Sequence, residues 1–205
     1  MKVKICGITN ERDARAAASE GADALGFIFV EKSPRYISPD DAASVIRQIG
    51  PYVTTVGVFG DHPAEQVRVI AGRTGVSVLQ FHGSESADFC RGFSPRWKVV
   101  KTVFPHQRPY RPAVAGYSAD AYLCDVLFEQ KTRGVSRLAP DALEEIKELI
   151  RDGVRIVISG GITPANVEEI LPLRPYGIDV CSGVEHGPGQ KDPDKMKCLL
   201  SKARQ

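Results

Sequence analysis

Cys6 is the first residue of the chain whose type and position could support catalysis. It ends a short apolar segment, and a glycine and the helix-capping residues Thr9 and Asn10 follow it. This order predicts a strand, a turn and a helix, and α/β enzymes keep their reactive groups at the carboxyl ends of strands. Taken alone, Cys6 suits a structural role equally well, because free cysteine is among the most buried residue types.

Charged residues favour the chemical interpretation of Cys6. Strand alternation puts Lys4 and Cys6 on one face, where the Lys4 ammonium would stabilise the thiolate. Asp179 stands inside an apolar segment near the other end of the chain. If the first and last strands are neighbours, Lys4 and Asp179 pair across them; a merely structural ion pair is the alternative.

Asp125 is the candidate proton donor. It follows the apolar segment Ala121–Cys124, and Val126 continues with apolar residues rather than a helix, which argues against a simple helix cap. A proton acceptor and a proton donor on opposite sides of one substrate are what an isomerisation needs. Cys124 precedes Asp125, but strand alternation turns its side chain away from the same site.

Two glycine-rich turns predict a phosphate-binding site. Gly160 and Gly161 follow the seventh apolar segment, and Ser182 and Gly183 follow the eighth. Barrel enzymes build phosphate sites from these two loops, where free backbone N–H groups meet the anion and glycine allows a close approach. The alternative is that both are only tight turns.

Arg35 and His82 also fall at predicted strand ends. Arg35 follows Ser33 and Pro34 in a loop. Its planar guanidinium suits a carboxylate, although a solvated loop arginine is the alternative. His82 and Asp179 complete the set of residues that we predict to bind substrate.

Eight apolar segments must position these residues. Their unbroken apolar character indicates strands that are covered on both faces, as in a parallel sheet. We expect strands over Val3–Ile5, Ala24–Val30, Val53–Phe59, Val76–Phe81, Lys98–Val103, Ala121–Val126, Val154–Ile158 and Gly177–Cys181.

Helix signals separate the apolar segments. A capping residue followed by proline predicts helix starts at Ser38, Thr163 and Asp192, and Pro140 opens another helical segment. The prolines and the glycine within 106–118 predict a short or irregular fifth crossover helix. The sequence therefore predicts an α/β protein, a (β/α)8 TIM barrel that forms one domain over residues 1–205. A doubly wound open sheet is the second choice, but no GxGxxG turn follows the first strand.

The composition indicates an ordinary globular protein. The chain has 205 residues, of which 42% are hydrophobic, and a formal net charge of +2. Its basic residues are spread out, so nothing indicates nucleic-acid or membrane binding, and the amino end lacks the apolar core of a signal peptide, which predicts a cytoplasmic location. Five separated cysteines without a CxxC pair and four histidines without ligand spacing predict neither disulfides nor a metal site.

Seven motifs of the chain together resemble phosphoribosylanthranilate isomerases. They occur in the family's order and cover nearly the whole sequence. They are KICGIT at 4–9, GADALGFIF at 21–29, SPRYIS at 33–38, VGVF at 56–59, LQFHG at 79–83, SGGITPANV at 159–167 and DVCSGVEHGPGQKD at 179–192.

The resemblance implies a barrel of the ribulose-phosphate-binding type and a cofactor-free Amadori rearrangement in tryptophan biosynthesis. Its small-molecule substrate would be the phosphosugar N-(5-phosphoribosyl)anthranilate. By the resemblance, Asp125 is the general acid that opens the sugar, and Cys6 is the general base that takes the C2 proton. Arg35 would hold the anthranilate carboxylate, and the two glycine-rich turns would line the phosphate site. We expect a monomer or a homodimer.

One segment departs from the family pattern. After Asp125 the family usually carries a glycine-rich loop, whereas residues 126–138 here hold one glycine and three basic residues, Lys131, Arg133 and Arg137. This loop flanks the site in the family, so two alternatives stay open: a phosphosugar-barrel enzyme with another substrate, and a barrel that binds a phosphometabolite without turnover. Retention of an acid and a base argues against the second alternative, since binding alone needs neither.

Overall fold

Eight parallel strands close into a barrel, as the apolar segments predict. The structure is a computed structural model that describes residues 1–125 and 138–204. The strands follow sequence order around the ring, and the eighth pairs with the first to close it. They are β1 (Lys2–Cys6), β2 (Ala24–Ile28), β3 (Thr54–Phe59), β4 (Val78–Phe81), β5 (Lys98–Val103), β6 (Ala121–Cys124), β7 (Ile156–Ile158) and β8 (Gly177–Val180). The (β/α)8 fold is thereby confirmed.

Half of the sixteen strand ends match the predicted ends, and the other half differ from them by one or two residues. Phe29 and Val76 are buried in the core, yet they lie outside β2 and β4. Apolar side chains that flank a strand pack into the same core without belonging to its regular ladder, so an apolar segment overestimates strand length. Val126, the predicted end of the sixth strand, lies outside the described residues.

Helices cover the outside of the barrel. They are α1 (Glu11–Ser19), α2 (Pro39–Arg47), α3 (Ala64–Thr74), α4 (Ala87–Arg91), α5 (Tyr110–Ala115), α6 (Pro140–Arg151) and α7 (Pro193–Lys202); a short hairpin, β9 (Glu185–Gly187) and β10 (Gln190–Lys191), precedes α7. The predicted caps at Ser38 and Asp192 are present: the Ser38 side chain accepts one backbone N–H of the first turn, and the Asp192 side chain accepts two. The six-residue α5 confirms the short fifth crossover.

The helix start predicted at Thr163 is wrong. The chain forms two 3-10 turns there, Val167–Glu169 and Leu171–Leu173, in place of an α-helix. The Asn166 side chain accepts the Thr163 N–H through Oδ1 at 2.8 Å and donates through Nδ2 to the Gly161 carbonyl at 2.9 Å. These bonds close one turn at Thr163, and Pro172, which has no N–H to donate, prevents the segment from continuing as an α-helix.

Each strand presents one face to the helices and the other to the barrel interior. On β1, Val3 and Ile5 are fully buried in the hydrophobic core between barrel and helices. The alternate residue Lys4, together with Gln80 of β4, lines a cavity of about 650 Å³ that opens at the amino-terminal end of the barrel. This cavity is at the opposite end from the predicted reactive residues.

A buried ion pair fixes two loops at the carboxyl-terminal end. Lys101 of β5 is fully buried, and its ammonium donates to the Gly83 carbonyl at 2.6 Å and to Glu85 Oε2 at 3.0 Å. The Glu85 carboxylate also accepts the backbone N–H groups of Asp61 and Gly83. The pair therefore ties the loops after β3 and β4 to β5.

We expect Lys101→Met to lower the free energy of unfolding by about 3–5 kcal/mol, because the Glu85 carboxylate stays buried without its cation. The exposed pair of Lys98 and Asp120 is the matched control, and Lys98→Met should have a much smaller effect because solvent screens that pair. Urea unfolding monitored by circular dichroism measures both. Equal destabilisation by the two substitutions would contradict this account.

Candidate active site

The carboxyl-terminal edge of the barrel brings the predicted site residues together. Because all eight strands are parallel, the residues that follow them meet at one edge. Around this edge lie Cys6 at the end of β1, Arg35 after β2, His82 after β4, Asp125 after β6, Gly160 and Gly161 after β7, and Ser182 and Gly183 after β8. Asp179 lies within β8.

Cys6 and Lys4 share the inner face of β1, as strand alternation predicts. The Cys6 side chain is largely buried. Gly26 of β2 packs against both residues: a methyl group added to it would lie 2.7 Å from the Cys6 sulfur and 3.2 Å from Lys4 Nζ. A glycine at this position therefore leaves the space that the thiol and the ammonium fill.

The predicted ion pair across β1 and β8 is present. Lys4 and Asp179 are direct neighbours in the register, and Lys4 Nζ lies 2.8 Å from Asp179 Oδ1. Burial alone would lower the pKa of Lys4, but the negative charges of Asp179 and of the Cys6 thiolate outweigh it and raise that pKa. Lys4 thus stays protonated beside Cys6.

Cys181 has the largest influence on the thiol of Cys6, and sequence analysis assigned it no role. Its hydrogen bond lowers the pKa of Cys6, burial and the charge of Asp179 oppose that effect, and Lys4 adds to it, with a net result of about 7. The same hydrogen bond and burial raise the pKa of Cys181, which therefore stays a thiol and donates. A signal was available, since Cys181 stands two residues after Asp179 and so on the same face.

The candidate acid Asp125 lies beside His82. Asp125 is 3% exposed, and its Oδ2 lies 3.7 Å from His82 Nε2. The other ring nitrogen, Nδ1, lies 3.1 Å from Gln80 Nε2 and 3.0 Å from the Thr102 hydroxyl. The ring of His82 thus lies between these two polar side chains and the candidate acid.

Cys124 does not belong to the site. It is fully buried in the hydrophobic core outside the barrel, and burial raises its pKa to about 12. Its orientation away from the neighbouring Asp125 agrees with the prediction from strand alternation.

Arg35 is bound by a carboxylate of the protein itself. Arg35 Nε donates to both oxygens of Glu185 at 2.9 and 3.1 Å, and Nη2 donates to Oε2 at 2.7 Å. Glu185 also accepts Lys191 Nζ at 2.8 Å and the Gly189 N–H at 3.2 Å. The bond to Glu185 raises the pKa of Arg35. Glu185 occupies one edge of the guanidinium and leaves the other edge, formed by the two Nη groups, available to a second anion.

The two glycine-rich turns form one continuous surface. Gly160 and Gly161 have φ values of +97° and +62°, in the left-handed region that favours glycine. A methyl group on Gly183 would overlap the carbonyl oxygen of Ile162, so the loops after β7 and β8 are in direct contact. A 3-10 turn over Ser182–Val184 begins here, and the first N–H groups of such a turn have no partner within it. These donors could receive an anion.

Residues 1–125 and 138–204 contain neither a candidate metal cluster nor a candidate membrane span. Within these ranges, no three His, Cys, Asp or Glu side chains are grouped so that they could hold a metal ion. No helix of the same ranges has the length and apolar character needed to cross a membrane. Residues 126–137, with the three basic residues Lys131, Arg133 and Arg137, lie outside the described part.

Comparison with known proteins points to one family. Residues 3–202 match the family model of N-(5'phosphoribosyl)anthranilate (PRA) isomerase. The N-(5'-phosphoribosyl)anthranilate isomerase of Trichlorobacter lovleyi is 38% identical, over 100% of this chain and 98% of the relative. The phosphoribosyl anthranilate isomerase structure from Thermus thermophilus is 40% identical, with a TM-score of 0.88 and 98% of each chain covered. That from Thermotoga maritima is 38% identical, with a TM-score of 0.90, and covers 100% of this chain and 98% of its own.

We expect Lys4→Met to raise the pKa of Cys6, because it removes the ammonium and leaves the Asp179 charge uncompensated beside the thiol. At pH 7 the thiolate fraction then falls, whereas at a pH well above the new pKa it matches that of the wild type. The pH dependence of iodoacetamide alkylation at Cys6, followed by peptide mass spectrometry, measures the shift. Asp179→Asn serves as the opposite control and should lower the pKa. An unchanged Cys6 pKa in Lys4→Met would refute the role of Lys4.

Proposed function

The chain belongs to the N-(5'-phosphoribosyl)anthranilate isomerase family, and we propose that Cys6 and Asp125 are the base and the acid of its reaction. The protein is an isomerase of tryptophan biosynthesis that converts N-(5-phosphoribosyl)anthranilate into 1-(2-carboxyphenylamino)-1-deoxyribulose 5-phosphate. Family membership decides against the two alternative functions that the segment after Asp125 left open. One observation carries the assignment of roles: a thiol of lowered pKa and a buried carboxylate stand at the same edge of the barrel.

Asp125 acts first in the proposed mechanism. Its protonated carboxyl group gives a proton to the furanose ring oxygen, the C1–O bond breaks toward that oxygen, and the nitrogen lone pair forms an iminium with C1. His82 lies beside this carboxyl group, with Nε2 3.7 Å from Asp125 Oδ2. A buried, positioned acid is effective here because the leaving oxygen receives its proton as the bond breaks.

Cys6 acts second. The thiolate takes the C2 proton, and the C2–H electrons form the C1=C2 bond while the iminium electrons return to nitrogen. The resulting enolamine tautomerises to the ketone. A base with a pKa of about 7 suits this step, because it is partly ionised at neutral pH and still has affinity for a proton. Lys4 stabilises the thiolate that must form before each turnover.

Arg35 and the glycine-rich turns bind the two ends of the substrate in this proposal. The edge of Arg35 that Glu185 leaves open would take the anthranilate carboxylate. The backbone donors near Gly161 and Gly183 would take the phosphate. A related isomerase structure, 35% identical to this chain, is a complex with reduced 1-(o-carboxyphenylamino)-1-deoxyribulose 5-phosphate, a molecule that carries both groups. Asp179 would contribute through Lys4 and Cys6 next to the reacting carbons.

The assembly of the protein is also a proposal. The Thermotoga maritima enzyme is described as dimeric, and monomers were generated from it, which supports a monomer or a homodimer for this chain. Light scattering at several protein concentrations decides between the two. The match of the family model to residues 3–202 supports one domain over the whole chain, and a cytoplasmic location stays a prediction.

Cys6→Ala and Asp125→Asn should each lower kcat by about 10²–10⁴-fold, since each removes one proton-transfer group. The decay of fluorescence of freshly generated phosphoribosylanthranilate measures the rate. Cys124→Ala is the matched control: it removes a thiol one residue from Asp125 that faces the core, so the folded variant should keep its kcat. Near-normal turnover by either active-site variant would overturn the assignment of that residue.

Gly183→Ala should raise KM by about tenfold or more, equivalent to about 1.4 kcal/mol of lost binding, because the methyl group forces the two phosphate-binding loops apart. Gly187→Ala, in the following hairpin, is the control: the atom nearest to its added methyl group is 4.0 Å away. Steady-state kinetics and unfolding midpoints should be measured for both. The phosphate assignment is wrong if Gly183→Ala binds inorganic phosphate and substrate as the wild type does.

A further inference from the structure

Cys181 stands next to Cys6 at the seam where the barrel closes. The register between β1 and β8 pairs Lys4 with Asp179 and Ile5 with Val180, so Cys6 and Cys181 are the next residues in line. Adjacent strands lie about 4.8 Å apart, which falls within the Cα separations of about 4.4–6.8 Å that disulfides span.

Side-chain contacts bring the two sulfur atoms into the same space. Each of the thiols of Cys6 and Cys181 has the largest influence on the pKa of the other, which requires that they lie side by side. A methyl group added to Gly7, the residue after Cys6, would lie 3.1 Å from the Cys181 sulfur. Lys191 Nζ lies 3.9 Å from that sulfur. Cys181 thus points back toward the end of β1 and lies close to two cationic groups, Lys191 and Arg35.

Cys181 of the pair is partly open to solvent, whereas Cys6, Cys90 and Cys124 are buried. Burial raises the pKa of Cys90 to about 11 and that of Cys124 to about 12, so neither is an effective nucleophile near neutral pH. Cys198 is exposed on α7, away from the strand ends.

We propose that Cys6 and Cys181 form a reversible disulfide under peroxide stress, which switches the isomerase off and protects its base from irreversible oxidation. The switching part rests on the proposed role of Cys6, whereas formation of the bond does not. Disulfides in reducing compartments are usually transient, catalytic or redox-sensing, and a low-pKa thiol beside a second thiol is the arrangement of a redox sensor.

Hydrogen peroxide is the oxidant in this proposal, and two steps balance the reaction. The Cys6 thiolate attacks one peroxide oxygen, the O–O bond breaks, and the hydroxide that leaves takes a proton to become water; Cys6 becomes a sulfenic acid. The Cys181 sulfur then attacks the Cys6 sulfur, the S–O bond breaks, and the leaving hydroxide takes the Cys181 proton as a second water. A dithiol reductant returns both thiols by exchange and is itself oxidised to a disulfide.

Two full-length variants should be compared. The first carries Cys198→Ser alone, which removes the exposed thiol, and the second carries both Cys198→Ser and Cys181→Ser. Each is treated with hydrogen peroxide and then with dithiothreitol, and activity is expressed relative to its own starting value. We expect the first protein to lose nearly all activity and regain it with dithiothreitol. The second should lose activity and regain almost none, because its sulfenic acid proceeds to sulfinic acid.

Peptide mass spectrometry under non-reducing conditions provides the independent readout. The proposal expects a peptide pair that joins Cys6 to Cys181 and is lighter by two hydrogen atoms than the separate peptides. If Cys6 is converted directly to sulfinic acid while Cys181 is present, and no cross-linked pair is found, the proposal that a disulfide forms is wrong. A cross-linked protein that keeps full activity would instead overturn Cys6 as the base, so the two failures are distinguishable.

Discussion

Closure of the barrel between β1 and β8 is the constraint on which the site depends. The register of this seam places Lys4 opposite Asp179 and thereby sets Cys6 beside Cys181. Strand side chains alternate, so a shift of one residue would move the whole inner set to the helix face. The charge balance around the Cys6 thiol thus follows from a backbone pairing between the two ends of the chain. No local feature of either strand could produce it alone.

The barrel itself was predictable because its signals are local. Each strand is an apolar segment, and the starts of α2 and α7 carry a cap and a proline within two residues. Thr163 has the same local signal and failed, because Pro172, further along the segment, has no N–H to continue an α-helix. A local start signal states what the first turn prefers, and residues beyond that turn decide whether a helix continues.

The positions of the site residues could be predicted from the sequence, whereas most of the charge interactions among them could not. Strand ends located Cys6, Asp125 and the glycine-rich turns, since parallel strands must end at one edge. The bond between Arg35 and Glu185 joins residues 150 positions apart, and the order of influences on Cys6 puts Cys181 ahead of Lys4. Both depend on distances between loops that no spacing in the sequence encodes.

The polar interior of the barrel is compatible with stability because the outer faces of the strands supply the core. Val3 and Ile5 are fully buried against the helices, whereas Lys4 on the opposite face forms an ion pair. Buried ion pairs are seldom more stabilising than apolar residues of similar volume, so the pair of Lys4 and Asp179 is poorly explained as a stabilising device. Its position beside the thiol explains it better: the pair holds a fixed positive charge where a thiolate must form. The same alternation that packs the core therefore leaves the inner faces available for chemistry.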